Sequence, residues 1–197
     1  LSTFMKELAS LAKKEDSSRF IVQAHIDGTE KLNESLNWTR NSDIDYTGFN
    51  LYYGFKSEVK AADETGRETI KKQFSNKINA NCDLLGQDSI IISEYGAGGN
   101  IDQHATINSN FSWSGNDTAI KEHPEEYQSY VLESAYDAIS KQDNVWVAFV
   151  WNMFDFSSYR NSGGKERTNN KGLVCYDHKT RKDAFYFYKA NWNKNDK

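Results

Sequence analysis

The segment Ser89–Gly99, SIIISEYGAGG, leads from an apolar β-branched run into a glycine-rich loop, with one carboxylate, Glu94, at the junction. Three consecutive isoleucines are typical of a strand buried on both faces, because parallel strands covered by helices lose the alternation of polar and apolar residues. Glu94 is then expected at the carboxyl end of a buried strand. From this segment alone, Glu94 is either a solvated residue at the strand exit or a carboxylate placed for chemistry.

Length and composition indicate one domain, or part of one, with a sizeable core, since the chain has 197 residues and 38% hydrophobic content. A net charge of −4 without a basic cluster argues against nucleic acid as a partner. No apolar run approaches the roughly 20 residues of a membrane helix, so no membrane partner is expected. Leu1 opens inside an amphipathic pattern without a start methionine, so we expect a longer parent chain, and the compartment stays open.

The histidines and cysteines do not suggest a metal centre. Cys82 and Cys175 lack metal-ligand spacing, and the four histidines are scattered along the chain. We therefore predict no metal site formed by this chain.

Strand candidates alternate with helical patterns along the chain. Helical spacing of apolar residues covers Leu1–Ala12, and Ile70, Phe74 and Ile78 share a second helix face. Pro124 is placed to occupy the first position of a third helix, and Phe185–Tyr188 belongs to a terminal aromatic helix. The strand candidates are Phe20–Ile26, Thr47–Phe55, the strand that ends at Glu94, and a fully buried strand at the start of Val145–Phe156.

This alternation predicts an α/β fold with a parallel sheet, in which long polar loops such as 100–122 and 157–170 follow the strands. No glycine-rich nucleotide signature follows any strand, which favours a (β/α)8 TIM-barrel type with functional residues at the carboxyl ends of the strands. A full barrel needs eight strands and about 250 residues. The four strands predicted here therefore correspond to half a barrel.

Several long motifs, in order, resemble one enzyme family over nearly the whole chain. They are SEYGAGG (93–99), Gln103–His104, HPEEYQ (123–128), FVWNMFDFSS (149–158) and NKGLVCYDHKTRKDAFYFYKANW (170–192). They are similar to the C-terminal half of the catalytic domain of glycoside hydrolase family 2, in its bacterial β-galactosidase branch. The resemblance implies that residues 1–197 cover barrel strands five to eight, while the upstream half and the β-sandwich domains are absent.

The resemblance also implies roles for individual residues. Glu94 matches the catalytic nucleophile, and Tyr52 matches a tyrosine that contacts it. The other matches are substrate-binding positions, namely Asn50, His104, Trp151, Asn169 and Lys171. From the residues alone, Tyr52 is equally well a buried core tyrosine, Trp151 a barrel-core residue and Lys171 a solvated lysine.

The implied activity is retaining hydrolysis of terminal non-reducing β-D-galactosides through a covalent glycosyl-enzyme intermediate, with a carbohydrate as the partner. Such chemistry needs two carboxyl groups, and Glu94 supplies only one. The family's acid/base is expected upstream of Leu1, and we interpret Glu34 as a surface residue. We therefore expect the isolated chain to be inactive.

Two alternatives stay open. A β-glucuronidase also carries an Asn-x-Lys pattern like Asn169–Lys171, and a non-catalytic carbohydrate-binding module could use the same aromatic residues.

No cofactor is implied by the residues, although some relatives of this kind use Mg²⁺ or Na⁺ in the intact enzyme. An open half-barrel is expected to leave inner apolar residues such as Ile90 and Val147 facing water, which predicts homo-oligomers formed through this face.

Overall fold

The computed structural model describes residues 2–26, 43–54, 62–106, 124–159 and 167–192, and a parallel sheet lies at its centre. Its strands are β1 (Val22–Ile26), β2 (Tyr46–Asn50), β3 (Ile90–Tyr95) and β4 (Val145–Val150), in the order β1-β2-β3-β4. Because all four run in the same direction, their carboxyl ends share one edge of the sheet. The predicted α/β class and parallel sheet are confirmed and agree with part of a TIM barrel. The numbering as strands five to eight stays a prediction.

Four helices occur in the described residues: α1 (Ser2–Glu15), α2 (Glu64–Leu85), α3 (Glu125–Ile139) and α4 (Asp183–Trp192). The ends of α2 follow from two residues. The Asp63 side chain accepts a hydrogen bond from the Gly66 amide, and Gly86 ends the helix in the left-handed conformation at φ 62°. Pro124 precedes α3 as its cap rather than occupying the first helical position, because its ψ of 140° is extended.

The core lies between α2, α3 and α4 and one face of the sheet. Ile70, Phe74 and Ile78, the predicted apolar face of α2, are all buried. They belong to a cluster that includes Phe49, Leu51, Ile90, Ile92, Tyr95, Val131, Leu132, Ala135, Ala184 and Tyr188. This cluster packs against one face of β2 and β3, so the residues at the carboxyl ends of these strands are held in place by a close-packed core.

The other face of the sheet is more open, and two expectations about burial are wrong. Trp146 and Phe149 of β4 are 49% and 55% exposed, because within the described residues β4 is an edge strand that pairs only with β3. The predicted full burial of this strand is therefore incorrect. Ile90 does not face water, since it belongs to the helix-covered core, and Val147 is half-buried. Self-association through this face stays a prediction.

Element boundaries depart from the sequence pattern mainly at strand ends. The second strand ends at Asn50 rather than at residue 55, and the fourth ends at Val150 rather than at residue 156. The region predicted as a loop from 157 to 170 instead contributes to an antiparallel pair, β5 (Phe156–Ser157) and β6 (Thr168–Asn169). Residues 107–122 of the long polar loop, and Glu34, lie outside the described residues. The four described helices include none with the length and apolar character needed to cross a membrane.

Candidate active site

Glu94 and Tyr52 are brought together at the carboxyl edge of the sheet. Asn50, the last residue of β2, pairs in register with Glu94 of β3. The Leu51 amide then donates a hydrogen bond to the Glu94 carbonyl oxygen at 2.8 Å, which continues the ladder beyond the end of β2. This places the Tyr52 hydroxyl where it donates a hydrogen bond to Glu94 Oε2 at 2.7 Å. The contact implied by the resemblance is present in the structure.

The electrostatics of this pair keep Tyr52 as the donor. Burial of the phenol, reinforced by the hydrogen bond to Glu94 and its negative charge, raises the pKa of Tyr52 well above the ordinary value. The hydroxyl is therefore protonated throughout the working pH range of an enzyme. A protonated phenol at this distance is a hydrogen-bond donor fixed on one oxygen of the Glu94 side chain.

Asn50 lies beside the same pair and is held by a residue that sequence reasoning did not select. Ser93 Oγ donates a hydrogen bond to Asn50 Oδ1 at 2.7 Å, and both side chains are partly buried. Because the amide oxygen is occupied by Ser93, the amide nitrogen of Asn50 is oriented as a donor. The signal for Ser93 was its position directly before Glu94 on the predicted strand.

Trp151 follows β4 on the same edge. Its amide donates to the Tyr95 carbonyl oxygen at 2.8 Å, so the residue after Glu94 fixes the backbone of Trp151. The half-buried indole lies edge-on to Phe156, with 6.1 Å between ring centroids. The peptide bond between Trp151 and Asn152 is cis. The bond to Tyr95 places Trp151 at the carboxyl end of the sheet that also carries Glu94, and its role in sugar binding stays a prediction.

Gly96 permits this close approach of the two strand ends. A Cβ built on Gly96 would lie 2.2 Å from the Trp151 carbonyl oxygen, which is backbone and cannot rotate away. Gly96→Ala is therefore expected to reduce the free energy of unfolding by about 1–3 kcal/mol, as overpacking does, measured by urea unfolding.

The control for this variant is Gly86→Ala, which introduces the same methyl group where no described atom lies within 4 Å of the Cβ. Its cost is conformational alone, because Gly86 has a φ of 62°, and amounts to about 1–2 kcal/mol. Unchanged stability of Gly96→Ala would contradict the packing described here.

Asn169 is the last residue of β6, and Lys171 follows it by two residues. Asn169 Oδ1 accepts a hydrogen bond from the Lys171 amide at 3.1 Å, which closes a tight turn. The Lys171 carbonyl oxygen accepts from the Asn152 amide at 3.1 Å, which links this turn to the residue after Trp151. Burial lowers the pKa of Lys171, and the negative charge of Glu94 acts in the opposite direction.

Comparison with known proteins shows similarity to carbohydrate-active enzymes along almost the whole chain. A β-glucuronidase from Bacteroides fragilis is 38% identical over 196 residues, which cover 98% of this chain and 24% of that protein. The solved structure of an FMN-binding β-glucuronidase from Faecalibacterium prausnitzii L2-6 matches with 30% identity and a TM-score of 0.74, over 98% of this chain and 26% of that chain. A structure described as a β-galactosidase from Bacteroides fragilis matches with 26% identity and a TM-score of 0.73, over the same shares.

These relatives are all named as glycosidases. The chain spans about a quarter of the length of each. No protein-family model matches it.

His104 is the predicted site residue that the structure places apart from the Glu94–Tyr52 pair. It is exposed, and its Nδ1 lies 2.8 Å from Glu126 Oε1 and 3.6 Å from Glu125 Oε1, at the start of α3. The hydrogen bond to Glu126 raises the pKa of His104. In the structure His104 fastens the loop after β3 to α3, and its role in sugar binding stays a prediction.

Among the described residues, one group of side chains could in composition ligate a metal ion, namely His104, Glu125 and Glu126. Their ligating atoms all lie within 4.8 Å of one another. Glu126 Oε2 also accepts a hydrogen bond from the Ala105 amide at 3.1 Å. The hydrogen bonds of the loop account for this arrangement.

Gln128 is a second residue that sequence reasoning missed. It is fully buried in α3, and its amide nitrogen donates to the Ala97 carbonyl oxygen at 2.9 Å and to that of Gly172 at 3.1 Å. It therefore ties the loop after Glu94 to the segment that carries Lys171. Its sequence neighbours, two glutamates, two tyrosines and a serine, do not distinguish Gln128 from a solvated residue, so its burial and its partners were not predictable from the pattern.

Proposed function

We propose that this chain is part of a retaining β-glycosidase of the glycoside hydrolase family 2 type, with Glu94 as the nucleophile. The observation that supports this most directly is the hydrogen bond from Tyr52 to Glu94 at the carboxyl end of β3. A carboxylate at this position, held by a protonated phenol, is arranged to attack an electrophilic carbon. The names of the relatives support the same class of reaction.

In the proposed reaction Glu94 acts in two steps. A bond forms between a Glu94 carboxylate oxygen and the anomeric carbon while the bond to the leaving oxygen breaks, and that oxygen takes a proton from a second carboxylic acid. Water then attacks the same carbon and gives a proton to the second carboxylate, which releases Glu94. Retaining enzymes hold the two carboxyl groups about 5–5.5 Å apart. We assign the second one to a part of the protein upstream of Leu1.

Tyr52, Asn50 and Trp151 have supporting roles in this proposal. The Tyr52 hydroxyl orients the Glu94 side chain through its hydrogen bond to Oε2. Asn50, with its amide oxygen occupied by Ser93, can donate to a sugar hydroxyl. The Trp151 ring can pack against the apolar C–H face of a pyranose.

Terminal β-galactosides are the first candidate substrates, from the motifs around Trp151 and in residues 181–192. A second candidate, a β-glucuronide, is favoured by Lys171. Lys171 is half-buried, and the negative charge of Glu94 acts on its ammonium. A uronate carboxylate bound at Lys171 would supply a second anionic partner and offset the cost of burying this charge. Galactose is uncharged and could not form an ion pair with Lys171.

The decisive experiment uses 2-deoxy-2-fluoroglycosyl fluorides on the full-length protein, with galactosyl and glucuronyl reagents in parallel. The fluorine slows release of the covalent intermediate, so intact-mass measurement and peptide mapping locate the labelled residue. We expect one sugar on Glu94. The galactosyl reagent identifies the first candidate and the glucuronyl reagent the second.

The matched control is Glu94→Gln, which should take up no label. A label on another carboxylate would overturn the assignment of Glu94. No label in a folded protein that binds sugar would favour the non-catalytic carbohydrate-binding module. The isolated chain, which we expect to lack the second carboxyl group, should not hydrolyse β-glycosides.

A further inference from the structure

Lys182, directly before α4, is a buried charge to which the proposed reaction assigns no role. Its side chain is 0% exposed. The ammonium donates three hydrogen bonds: to the Gly99 carbonyl oxygen at 2.6 Å, to Asp155 Oδ1 at 2.8 Å, and to the Asn170 carbonyl oxygen at 2.9 Å. An ammonium has three donors, so all of them are used.

The three acceptors come from the three segments that carry proposed site residues. Gly99 lies five residues after Glu94, Asp155 lies four residues after Trp151, and Asn170 directly precedes Lys171.

The same segments are also bonded to each other around this ammonium. The Gly99 amide donates to the Asn170 carbonyl oxygen at 3.0 Å, and the Gly172 amide donates to Asp155 Oδ1 at 2.9 Å. Lys182 is thus the point at which the three segments meet.

The energetics of this ion pair argue against a role in stability alone. Burial lowers the pKa of Lys182, because a charge removed from water loses its hydration. The negative charge of Asp155 opposes that shift. Buried ion pairs are often no more stabilising than apolar residues of similar volume. Gln128 already links two of the same segments with a neutral side chain. The distinctive feature of Lys182 is that it joins all three.

We propose that Lys182 is a positioning residue that fixes Glu94, Trp151 and Lys171 relative to one another through Gly99, Asp155 and Asn170. This proposal rests on the proposed function. The segments of Trp151 and Lys171 are joined to each other by the β5–β6 pair and by backbone hydrogen bonds such as that from the Leu173 amide to the Asn152 carbonyl oxygen at 3.0 Å. The Lys182 ammonium adds a bond from both of them to Gly99, on the segment that follows Glu94. A displacement of about 1 Å in such a constellation can reduce turnover about 100-fold.

The test uses Lys182→Met and Asp155→Asn in the full-length protein, with Ile78→Ala as the control. Methionine keeps the apolar stem and removes the ammonium. Asparagine keeps the oxygen that accepts from Gly172 and Lys182 but removes the charge. Ile78 is fully buried in α2 within the helix–sheet core. Ile78→Ala therefore lowers stability while leaving the hydrogen bonds of Lys182 to Gly99, Asp155 and Asn170 in place.

Two measurements separate positioning from general stability. Hydrogen exchange should accelerate about 10-fold or more at the Gly99, Asn152 and Gly172 amides of Lys182→Met, while α2 keeps its protection. Below the melting temperature, kcat on an aryl β-glycoside should fall about 100-fold for Lys182→Met and stay within twofold of wild type for Ile78→Ala. Asp155→Asn should show the same pattern more weakly, and it decides the matter if the methionine variant does not fold.

The outcomes that overturn the proposal are distinct from failure of the proposed function. A folded variant with unchanged kcat, or one in which exchange rises equally in α2, would show that Lys182 acts on stability alone. A wild-type protein that turns over no β-glycoside would remove the proposed function, and with it the catalytic part of this proposal. The exchange data would then still show whether Lys182 couples the three segments.

Discussion

Glu94→Gln in the full-length protein is expected to lower turnover of a β-glycoside by at least about 10⁴-fold, with binding of the sugar preserved. Glutamine has the same shape as glutamate but is not an effective nucleophile, so the covalent step is lost. The Tyr52 hydroxyl can still donate to the amide oxygen. Glu94 is half-buried at a strand end rather than in the core, so the fold should be retained.

Glu68→Gln is the matched control for this variant. It makes the same chemical change on an exposed turn of α2, where Glu68 forms a surface ion pair with Lys71 at 2.9 Å. Surface pairs of this kind contribute about 0–1 kcal/mol, so activity should be unchanged. Steady-state kinetics and near-UV circular dichroism of both variants make the comparison. Turnover by Glu94→Gln within tenfold of wild type would exclude Glu94 as the nucleophile.

The stereochemistry of chemical rescue distinguishes a nucleophile from an acid/base. In Glu94→Ala the space beside Tyr52 is open to a small anion, so azide should restore cleavage of an aryl β-glycoside with an activated leaving group. Azide entering from the Glu94 side displaces the leaving group from the opposite face, so the product is the α-glycosyl azide. A β-glycosyl azide would instead identify Glu94 as the acid/base, and the assignment would change.

The features that sequence pattern predicted well are those with a local physical cause. The isoleucine run before Glu94 formed a strand with both faces covered, and Ile70, Phe74 and Ile78 formed the buried face of α2. Glu94 was expected at the strand exit because it follows the isoleucine run and precedes a glycine-rich loop. Periodicity and strand order were enough for these inferences.

The features that were missed depend on partners distant in sequence. Lys182 lies in an aromatic, charged segment and is 83 residues from Gly99, to which it donates a hydrogen bond. Nothing in its neighbours distinguishes it from a solvated lysine. The exposure of Trp146 and Phe149 likewise depends on β4 having one neighbour in the described sheet, which apolar composition does not reveal. His104 was assigned from a motif, and its carboxylate partners became visible only once α3 was placed.

Tyr52→Phe is expected to reduce kcat by about 100-fold, because it removes a donor that is already aimed at the reacting carboxylate. The phenyl ring of phenylalanine fills the same space as the tyrosine ring, so packing should be preserved. What is lost is the 2.7 Å hydrogen bond to Glu94 Oε2. Without it the attacking oxygen is less firmly oriented, and the loss should appear in kcat more than in KM.

Tyr53→Phe is a closely matched control, since it removes the same hydroxyl from the adjacent residue. The Tyr53 ring packs edge-on against Phe74, with 5.1 Å between centroids, on the helix-covered side of the sheet rather than at Glu94. Its kcat should stay within about twofold of wild type, because loss of a hydroxyl away from the reacting atoms leaves the transition state unchanged. Equal losses in both variants would mean that the tyrosines act through local packing, and the hydrogen bond to Glu94 would then have no special part in catalysis.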